Sequence, residues 1–366
     1  MRILNLVTGE KWTGTAAVVF DQTAALVAAG IEAQFGFVAD SPLSRRLHPL
    51  GWARPILSGS RRLLDPARDV DRLRALLARE RFDVVHAHAT HDHVVASLAV
   101  RATGARLART LHHVRQARRD PISRALFRRT DGVAFANRAI ASRLHARGPV
   151  HSPVIDPARF TPDGNRAAPP GVPGPEEKRF VIGTVGKLAA GRGHEETIRA
   201  LASLPAEAVL LHVGKGEHRP ALEALAASLS LAARNAWAGY QEEELPALYR
   251  TMDVFLFAAS GSDQGQRAIL EAMASGLPVV ALDIPGVRDL VTEGEQGFIA
   301  KDLEGIVRGL RTLAADAELR VRLGRRARMR ALEHAPENFA PVAREFYEGL
   351  FTQAGRREPA ARARQS

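Results

Sequence analysis

Not one of the 366 residues is cysteine, which excludes disulfides, thiolate-bound metal and cysteine nucleophiles together. No apolar run approaches the roughly eighteen residues that a membrane-spanning helix needs. Nor does the beginning read as a secretion signal: Arg2 leads into a short strand-like run that Glu10 and Lys11 soon interrupt. A cytoplasmic location is the expectation. Aromatic residues make up only 5% of the chain, too few for the stacking platform of a single-strand nucleic-acid binder, so no nucleic-acid partner is expected.

Arginine is abundant, and its excess lies in one half. The net charge is +11; residues 1–165 hold 25 Lys or Arg against 14 Asp or Glu, whereas residues 166–366 hold 26 of each. The densest part is 101–150, with 12 Arg and two acids, including Arg115, Arg118, Arg119, Arg124, Arg128 and Arg129 around an expected helix. Such a face attracts polyanions, and about 1 kcal/mol per basic residue near a bilayer suits reversible docking on anionic lipid. The alternative is a merely solvated arginine-rich surface.

With 46% hydrophobic and 25% charged residues, the composition is that of an α/β enzyme of two ordinary domains. Strand-like runs at 3–7, 33–38, 84–87, 107–111 and 132–136 alternate with helical segments such as 16–29, the pattern of a doubly wound parallel sheet. After Asn165 the run RAAPPGVPGPEE is too rich in proline and glycine for either regular structure and reads as a linker. A second series then supplies strand-like runs at 180–185, 209–213, 254–257 and 279–282. The expected organisation is a Rossmann-like domain over 1–165, a linker over 166–178 and a second Rossmann-like domain over 179–336. A last amphipathic helix covers 337–352, before a disordered tail at 354–366.

The densest chemistry is in DQGQRAILEAMASGLPVVA, residues 263–281. Asp263 and Glu271 stand eight positions apart across an expected junction of strand, glycine turn and helix, the helix covering 267–274 and closed by Gly276. Free N–H groups at Gly265, Gln266 and Arg267 and the positive helix end suit a diphosphate, and the carboxylates suit sugar hydroxyls. In the other reading, Glu271 merely pairs with Arg267 one turn earlier, which contributes about 0.2–0.5 kcal/mol. A second glycine loop, Gly183-Thr-Val-Gly-Lys-Leu-Ala-Ala-Gly-Arg-Gly193, ends a strand and precedes a helix near His194. Its Lys187 and Arg192 are either diphosphate ligands or ordinary loop cations.

On these residues the chain resembles the nucleotide-sugar glycosyltransferases of GT-B fold, specifically the large retaining family four. That family carries Glu-x7-Glu followed by Ala-Met-Ala-x-Gly-x-Pro-Val-Val, and a Gly-Arg-Leu-x-x-x-Lys-Gly loop. Here Asp263 replaces the first Glu, shortening its reach by one methylene. Gln264-Gly265-Gln266 replaces the common Gly-Phe-Gly, and Lys187 and Arg192 exchange the family's two cation types. The resemblance covers nearly the whole chain and implies two Rossmann-like domains facing a cleft, with the terminal helix crossing back to the first.

It further implies Glu271 on the donor's ribose, and Asp263 with the Gly265, Gln266 and Arg267 amides on sugar and phosphate. Lys187, Arg192 and neighbouring Gly186 would hold the diphosphate, whose negative charge on departure two cations stabilise without a metal or other cofactor. In the first domain the resemblance points to His112, with His113 as its alternative, near the reacting sugar. Gly14 and Thr15 would touch an anionic acceptor or donor group, unless Thr15 serves only as a helix cap. The implied activity is retaining transfer of a hexose or related sugar from a nucleoside diphosphate to a glycolipid or growing polysaccharide, in bacterial lipopolysaccharide or envelope synthesis. It would take place at the inner face of the plasma membrane, with the proline-rich linker and the crossing helix as hinge.

An epimerase of the same fold and a catalytically weakened sugar-nucleotide-binding homologue are the rival readings. His86, His88, His91 and His93 invite a metal, but in the family a similar Asp-Val-Val-His-x-His lines the cleft, and no metal is expected. Asp69-Val70-Asp71 reads as acids complementing the opening turn of a helix.

Overall fold

The computed structural model describes residues 1–9, 12, 14–47, 49–58, 65–117, 120–172, 174, 177, 179–259 and 266–352. Two units divide the chain: Met1–Ser152 with Pro336–Ser366, and Pro153–Ala335. Each is built on a six-stranded, wholly parallel sheet.

In the first unit the strands are β1 (Arg2–Leu6), β2 (Glu32–Val38), β3 (Ala53–Leu57), β4 (Val84–Ala87), β5 (Arg106–Leu111) and β6 (Gly132–Phe135), ordered β3-β2-β1-β4-β5-β6. Successive residues feed opposite faces. Leu4, Val85 and Leu107 join Leu73, Val95 and Ala99 in one core layer, whereas Ile3, Val84 and Ala108 join Leu26, Tyr347 and Leu350 in the other. This is why the inner strands read as unbroken apolar runs. The helix Pro336–Thr352 belongs to this unit, with Ala340, Ala343, Tyr347 and Leu350 buried. Gly132 admits it: a Cβ there would stand 2.3 Å from Leu350 Cδ2.

The second unit repeats the plan with β7 (Phe180–Val185), β8 (Ala208–Val213), β9 (Asn235–Gly239), β10 (Val254–Phe257), β11 (Val279–Leu282) and β12 (Gly297–Ala300), ordered β12-β11-β10-β7-β8-β9. Val181, Leu211, Phe255 and Val279 face one core layer, and Ile182, Leu210, Leu256 and Val280 the other.

The expected linker is not where the chain changes units. Residues after Ser152 already pack on the second unit: Phe160 lies in its core, and the Ile155 N–H donates to His334 O at 3.0 Å. Arg250 Nε holds Asn165 O at 2.7 Å, while Thr251 Oγ1 holds Ala167 O at 2.8 Å. The chain passes between units at 152/153 and 335/336 instead. Proline and glycine in 166–178 mark irregular backbone tied down by side chains, which composition alone does not distinguish from a free linker. The expected tail, 354–366, lies outside the described residues.

The helices Gln266–Ala274 and Ala317–Leu332 meet through glycine. Gly276 terminates the first at φ 79°, its N–H donating to Met273 O and that of Leu277 to Ala272 O, an arrangement that satisfies the last carbonyls. A Cβ on Gly324 of the second helix would stand 2.1 Å from Gly276 O. Gly324→Ala is therefore expected to destabilise the protein by about 1–3 kcal/mol through overpacking, although alanine favours a helix interior by roughly 1 kcal/mol. Urea unfolding measures this, and an unchanged or higher midpoint would contradict the packing account.

Candidate functional site

In a parallel sheet the loops after the strands share one edge, and each unit carries its expected site residues there. In the second unit, β7 runs into Gly186 and Lys187. The Gly186 N–H donates to Val213 O at 3.0 Å and that of Leu188 to Lys215 O at 3.1 Å, tying this loop to the one after β8. The glycines divide by role. A Cβ on Gly193 would meet Ala258 O at 2.1 Å, one on Gly214 would meet Gly186 O at 1.8 Å, and one on Gly216 would meet Leu188 O at 1.9 Å; these three serve backbone packing. Gly186 and Gly191 have nothing within 4 Å of an added Cβ, so in this loop these two leave backbone open to a ligand. Gly193, at φ 80°, is the N-cap of the helix His194–Leu201 and offers no side-chain cap. Lys187 Nζ meets Glu217 Oε1 at 2.9 Å, both side chains exposed. Arg192 is half-buried in the same loop.

The helix Gln266–Ala274 follows β10 as expected. Asp263 and Gly265 fall outside the described residues, as does the side chain of Gln266. Glu271 is 5% exposed. Arg267 Nε donates to its Oε1 at 2.9 Å and the Tyr249 hydroxyl to its Oε2 at 3.0 Å. The pairing with Arg267, set second in the sequence reading, is thus present, because a carboxylate withdrawn from water needs donors on both oxygens. Tyr249 was missed; burial and then Glu271 push its phenol well above the ordinary tyrosine range, keeping it a donor. Its only sequence signal is a polar-tipped aromatic on the buried face of the helix Leu245–Thr251.

In the first unit, Gly14 rather than Thr15 occupies the N-cap of the helix Thr15–Ala28, at φ 58° and without a side-chain cap. Thr15 is the first helical residue, so the expected cap role does not hold. Beyond β4 and β5 lies a buried polar cluster. His86 Nδ1 meets the Tyr347 hydroxyl and its Nε2 meets Thr110 Oγ1, both at 2.8 Å. His88 Nδ1 meets His112 Nε2 at 3.1 Å, and His88 Nε2 meets Asn5 Oδ1 at 3.2 Å. The His112 N–H donates to Gln116 Oε1 at 2.7 Å. His113 instead caps the short turn Val114–Gln116, its Nδ1 accepting from the Arg115 N–H. Asn5 and Gln116 were not anticipated, although a lone amide between two leucines in β1 is a visible signal.

The other two histidines separate: His91 Nε2 meets Asp69 Oδ2, and His93 Nε2 meets Thr130 Oγ1, each at 2.8 Å. Among the described residues no three His, Cys, Asp or Glu side chains are grouped to hold a metal. Asp69 also accepts the Ser58 N–H at 2.6 Å and is fully buried. It ties the helix Asp65–Arg79 to β3 and the helix Thr90–Ala99 rather than complementing a dipole.

Arg109 lies among the histidines, 1% exposed, its Nη1 donating to Ala89 O at 2.6 Å. Burial lowers it to about 10, with Asp92 opposing. Burial first, then Arg109 and His151, hold His112 down at about 3; burial and neighbouring imidazoles hold His86 and His88 well below the usual histidine value. Burial alone holds His151 at about 4. On the surface, the helix Pro121–Phe127 exposes Ile122 at 73% beside Arg124, Arg128 and Arg129. Phe127, the aromatic within this basic run, turns in against His93, ring centroids 5.2 Å apart. Arg118 and Arg119 lie outside the described residues.

Comparison with known proteins bears on both edges. Residues 12–158 match the model of Glycosyltransferase Family 4, and residues 168–330 that of Glycosyl transferases group 1. The chain is 34% identical over 148 residues to the lipopolysaccharide core biosynthesis glycosyltransferase LpsE of Rhizobium meliloti (strain 1021), a match covering 40% of this chain and 43% of that one. It is 29% identical over 279 residues to the lipopolysaccharide core biosynthesis mannosyltransferase LpcC of Rhizobium leguminosarum bv. viciae, covering 72% and 76%. The chain spans about half or less of the first curated relatives it matches. The crystal structure of Anabaena HepE in complex with UDP superimposes with a TM-score of 0.78 at 19% identity, over 96% of this chain and all of that one, a likeness of fold.

The buried imidazoles make stability depend on pH. Their folded values lie below the unfolded value of about 6.5, so at lower pH the unfolded chain takes up protons that the folded one refuses. Stability is complete above pH 6.5 and is lost as pH falls toward the folded values, by up to about 1.4 kcal/mol per pH unit for each histidine. Calorimetric melts from pH 7.5 to 5, above the range of most carboxylates, should show a falling Tm and net proton uptake on unfolding. A flat Tm across that window would mean the histidines are not buried in neutral form.

Proposed function

The chain belongs to the GT-B glycosyltransferases, with a family 4 domain over 12–158 and a group 1 domain over 168–330, and from that premise we propose that it moves a sugar from a nucleoside diphosphate to a glycolipid or polysaccharide acceptor in lipopolysaccharide or envelope synthesis. The observation that carries this reading is the loop after β7. It leaves backbone open at Gly186 and Gly191, sets Lys187 and Arg192 beside them, and ends on the bare N-terminus of a helix, a combination suited to two phosphates. HepE, of the same fold, binds UDP and UDP-glucose, and the names of LpsE and LpcC place those relatives in lipopolysaccharide core synthesis.

In this reading Lys187 leaves its exposed partner Glu217 for the diphosphate, and Arg192 joins it. Together they stabilise the charge that develops as the nucleotide departs, so no metal is needed. Glu271 accepts the ribose hydroxyls through the lone pairs that Arg267 and Tyr249 leave unused. Asp263 and the amides of Gly265, Gln266 and Arg267 serve the sugar and its phosphate. His112 takes a hydroxyl of donor sugar or acceptor, and Gly14 with Thr15 meets an anionic group of the acceptor or donor. Transfer retains the anomeric configuration by same-face attack, without a covalent nucleophile. The basic helix Pro121–Phe127, with Ile122 at its exposed tip, docks the protein on anionic lipid.

A panel of UDP, GDP, ADP and dTDP sugars tests the reading by thermal unfolding. One donor should raise stability by roughly 2.7 kcal/mol at about 100 times its dissociation constant, and Lys187→Ala with Arg192→Ala should abolish that shift. With the responding donor and an anionic glycolipid acceptor, each single substitution should lower kcat by about 10²-fold or more, undiminished by EDTA treatment of the parent enzyme. No response to any nucleotide sugar would defeat the transferase reading. Conversion of the donor to an epimer without acceptor would replace it with the isomerase one.

A further inference from the structure

Buried hydrogen bonds around His112 settle which of its ring nitrogens carries the proton. Thr23 donates its hydroxyl to Val19 O at 2.7 Å, one turn back in the helix Thr15–Ala28. Its oxygen therefore has only lone pairs for Asn5, whose Nδ2 donates to it at 3.0 Å. That contact fixes the orientation of the Asn5 amide, so Oδ1 faces His88 Nε2 as a pure acceptor and His88 Nε2 must carry a hydrogen. A neutral imidazole has one N–H, so His88 Nδ1 is a lone pair, and His112 Nε2, 3.1 Å away, must be the donor. The remaining lone pair of His112 is then on Nδ1, which no hydrogen bond among the described residues uses. Thr23, Asn5, His88 and His112 are all at least 95% buried, where a mispaired donor or acceptor costs about 1–3 kcal/mol. Gln116 bridges the two strand ends: its Oε1 takes the backbone N–H of His112 and its Nε2 donates to His88 O at 3.3 Å.

We propose that Asn5 and His88 are positioning residues that hold His112 in one tautomer, proton on Nε2 and lone pair on Nδ1, so that it presents only an acceptor to the hydroxyl of a sugar. This rests on the glycosyl-transfer reading above. The positive charge of Arg109 in the same cluster supports it, since a cation beside buried imidazoles disfavours protonating any of them. With the other tautomer, Nδ1 would be a donor and could not take the hydroxyl's hydrogen.

Two measurements on the full chain test the proposal separately. Two-bond proton–nitrogen correlation spectra of protein labelled with ¹⁵N-histidine, with the His112 signals identified by their loss in His112→Gln, read the tautomer without any assay. The expected wild-type result at pH 7.5 is a protonated Nε2 and a bare Nδ1. His88→Asn should preserve it, because the asparagine oxygen can replace Nδ1 as acceptor, whereas His88→Leu and Asn5→Leu should give mixed tautomers. A protonated Nδ1 in the wild type, or an unmixed tautomer in His88→Leu, overturns the proposal, and the wild-type spectrum decides even where a variant does not fold.

Kinetics with the responding donor form the second arm. Here kcat should fall at least tenfold in His88→Leu and Asn5→Leu, and much less in His88→Asn, with the donor KM unchanged. Equal losses in His88→Asn and His88→Leu would overturn the proposal. Should no nucleotide sugar be turned over at all, the transfer reading fails and the spectra still report the tautomer.

Discussion

Parallel pairing is the constraint from which the other features of each unit follow. A parallel strand cannot return through a tight turn, so every strand needs a crossover that covers one face of the sheet. Both faces are then buried, and the loops carrying the chain out of the strands collect at a single edge. In the first unit that edge gathers the residues after β1, His88 after β4 and His112 after β5. In the second it gathers the loops after β7, β8 and β9, which are laced together through Gly186, Leu188 and Gly214. Backbone passes so close to backbone there that Gly193, Gly214 and Gly216 have no room for a Cβ. Glycines that looked alike in sequence thus divide into those that let loops meet and those, Gly186 and Gly191 among them, that leave space.

The same burial governs the polar cluster of the first unit. Removing six ionisable groups, His86, His88, His112, His151, Arg109 and Asp92, from water would be prohibitive if all were charged. Here burial keeps the imidazoles neutral, and those of His86, His88 and His112 are hydrogen-bonded to one another or to Tyr347, Thr110 and Asn5, while the buried Nε2 of His151 has no partner among the described residues. Asp92 takes the His88 and Ala89 N–H groups, while burial pushes its carboxyl upward against the pull of Arg109. Tyr347 joins this cluster from the helix Pro336–Thr352, so that helix contributes both to the apolar layer around Leu350 and a hydrogen bond to His86. Stability and site chemistry share the same atoms here.

Legibility in the sequence followed burial. The central strands, such as Val84–Ala87 and Val254–Phe257, were readable because both faces are apolar. The segments missed, β3, β9 and β12, are all edge strands: β3 contains Pro55, which only an edge tolerates, and β9 and β12 are short, rich in small residues and partly exposed. Lys187, Arg192 and Glu271 were legible as types at a spacing. The partners of Lys187 and Glu271 were not, because Glu217 and Tyr249 reach them from another loop and another helix, and no local period records such meetings; the same holds for Asn5 beside His88 and Gln116 beside His112. The placement of the chain crossings failed for a related reason, since Arg250 and Thr251 tie down a segment whose composition alone looks unstructured.

Glu271 shows why a structural and a functional reading need not compete. A carboxyl group 5% exposed needs hydrogen-bond partners in place of water, and Arg267 and Tyr249 supply them from the same helix and its neighbour. Each of those bonds occupies one lone pair on one oxygen, leaving a second on each. Tyr249, held protonated by its surroundings, cannot reverse its bond, and Arg267 fixes the plane of the carboxylate from the other side. The group is therefore oriented before any ligand arrives, and a ligand need not bear the cost of ordering it. In the proposed reading, the pair that looked like an alternative to a binding role is what orients the buried acid for one.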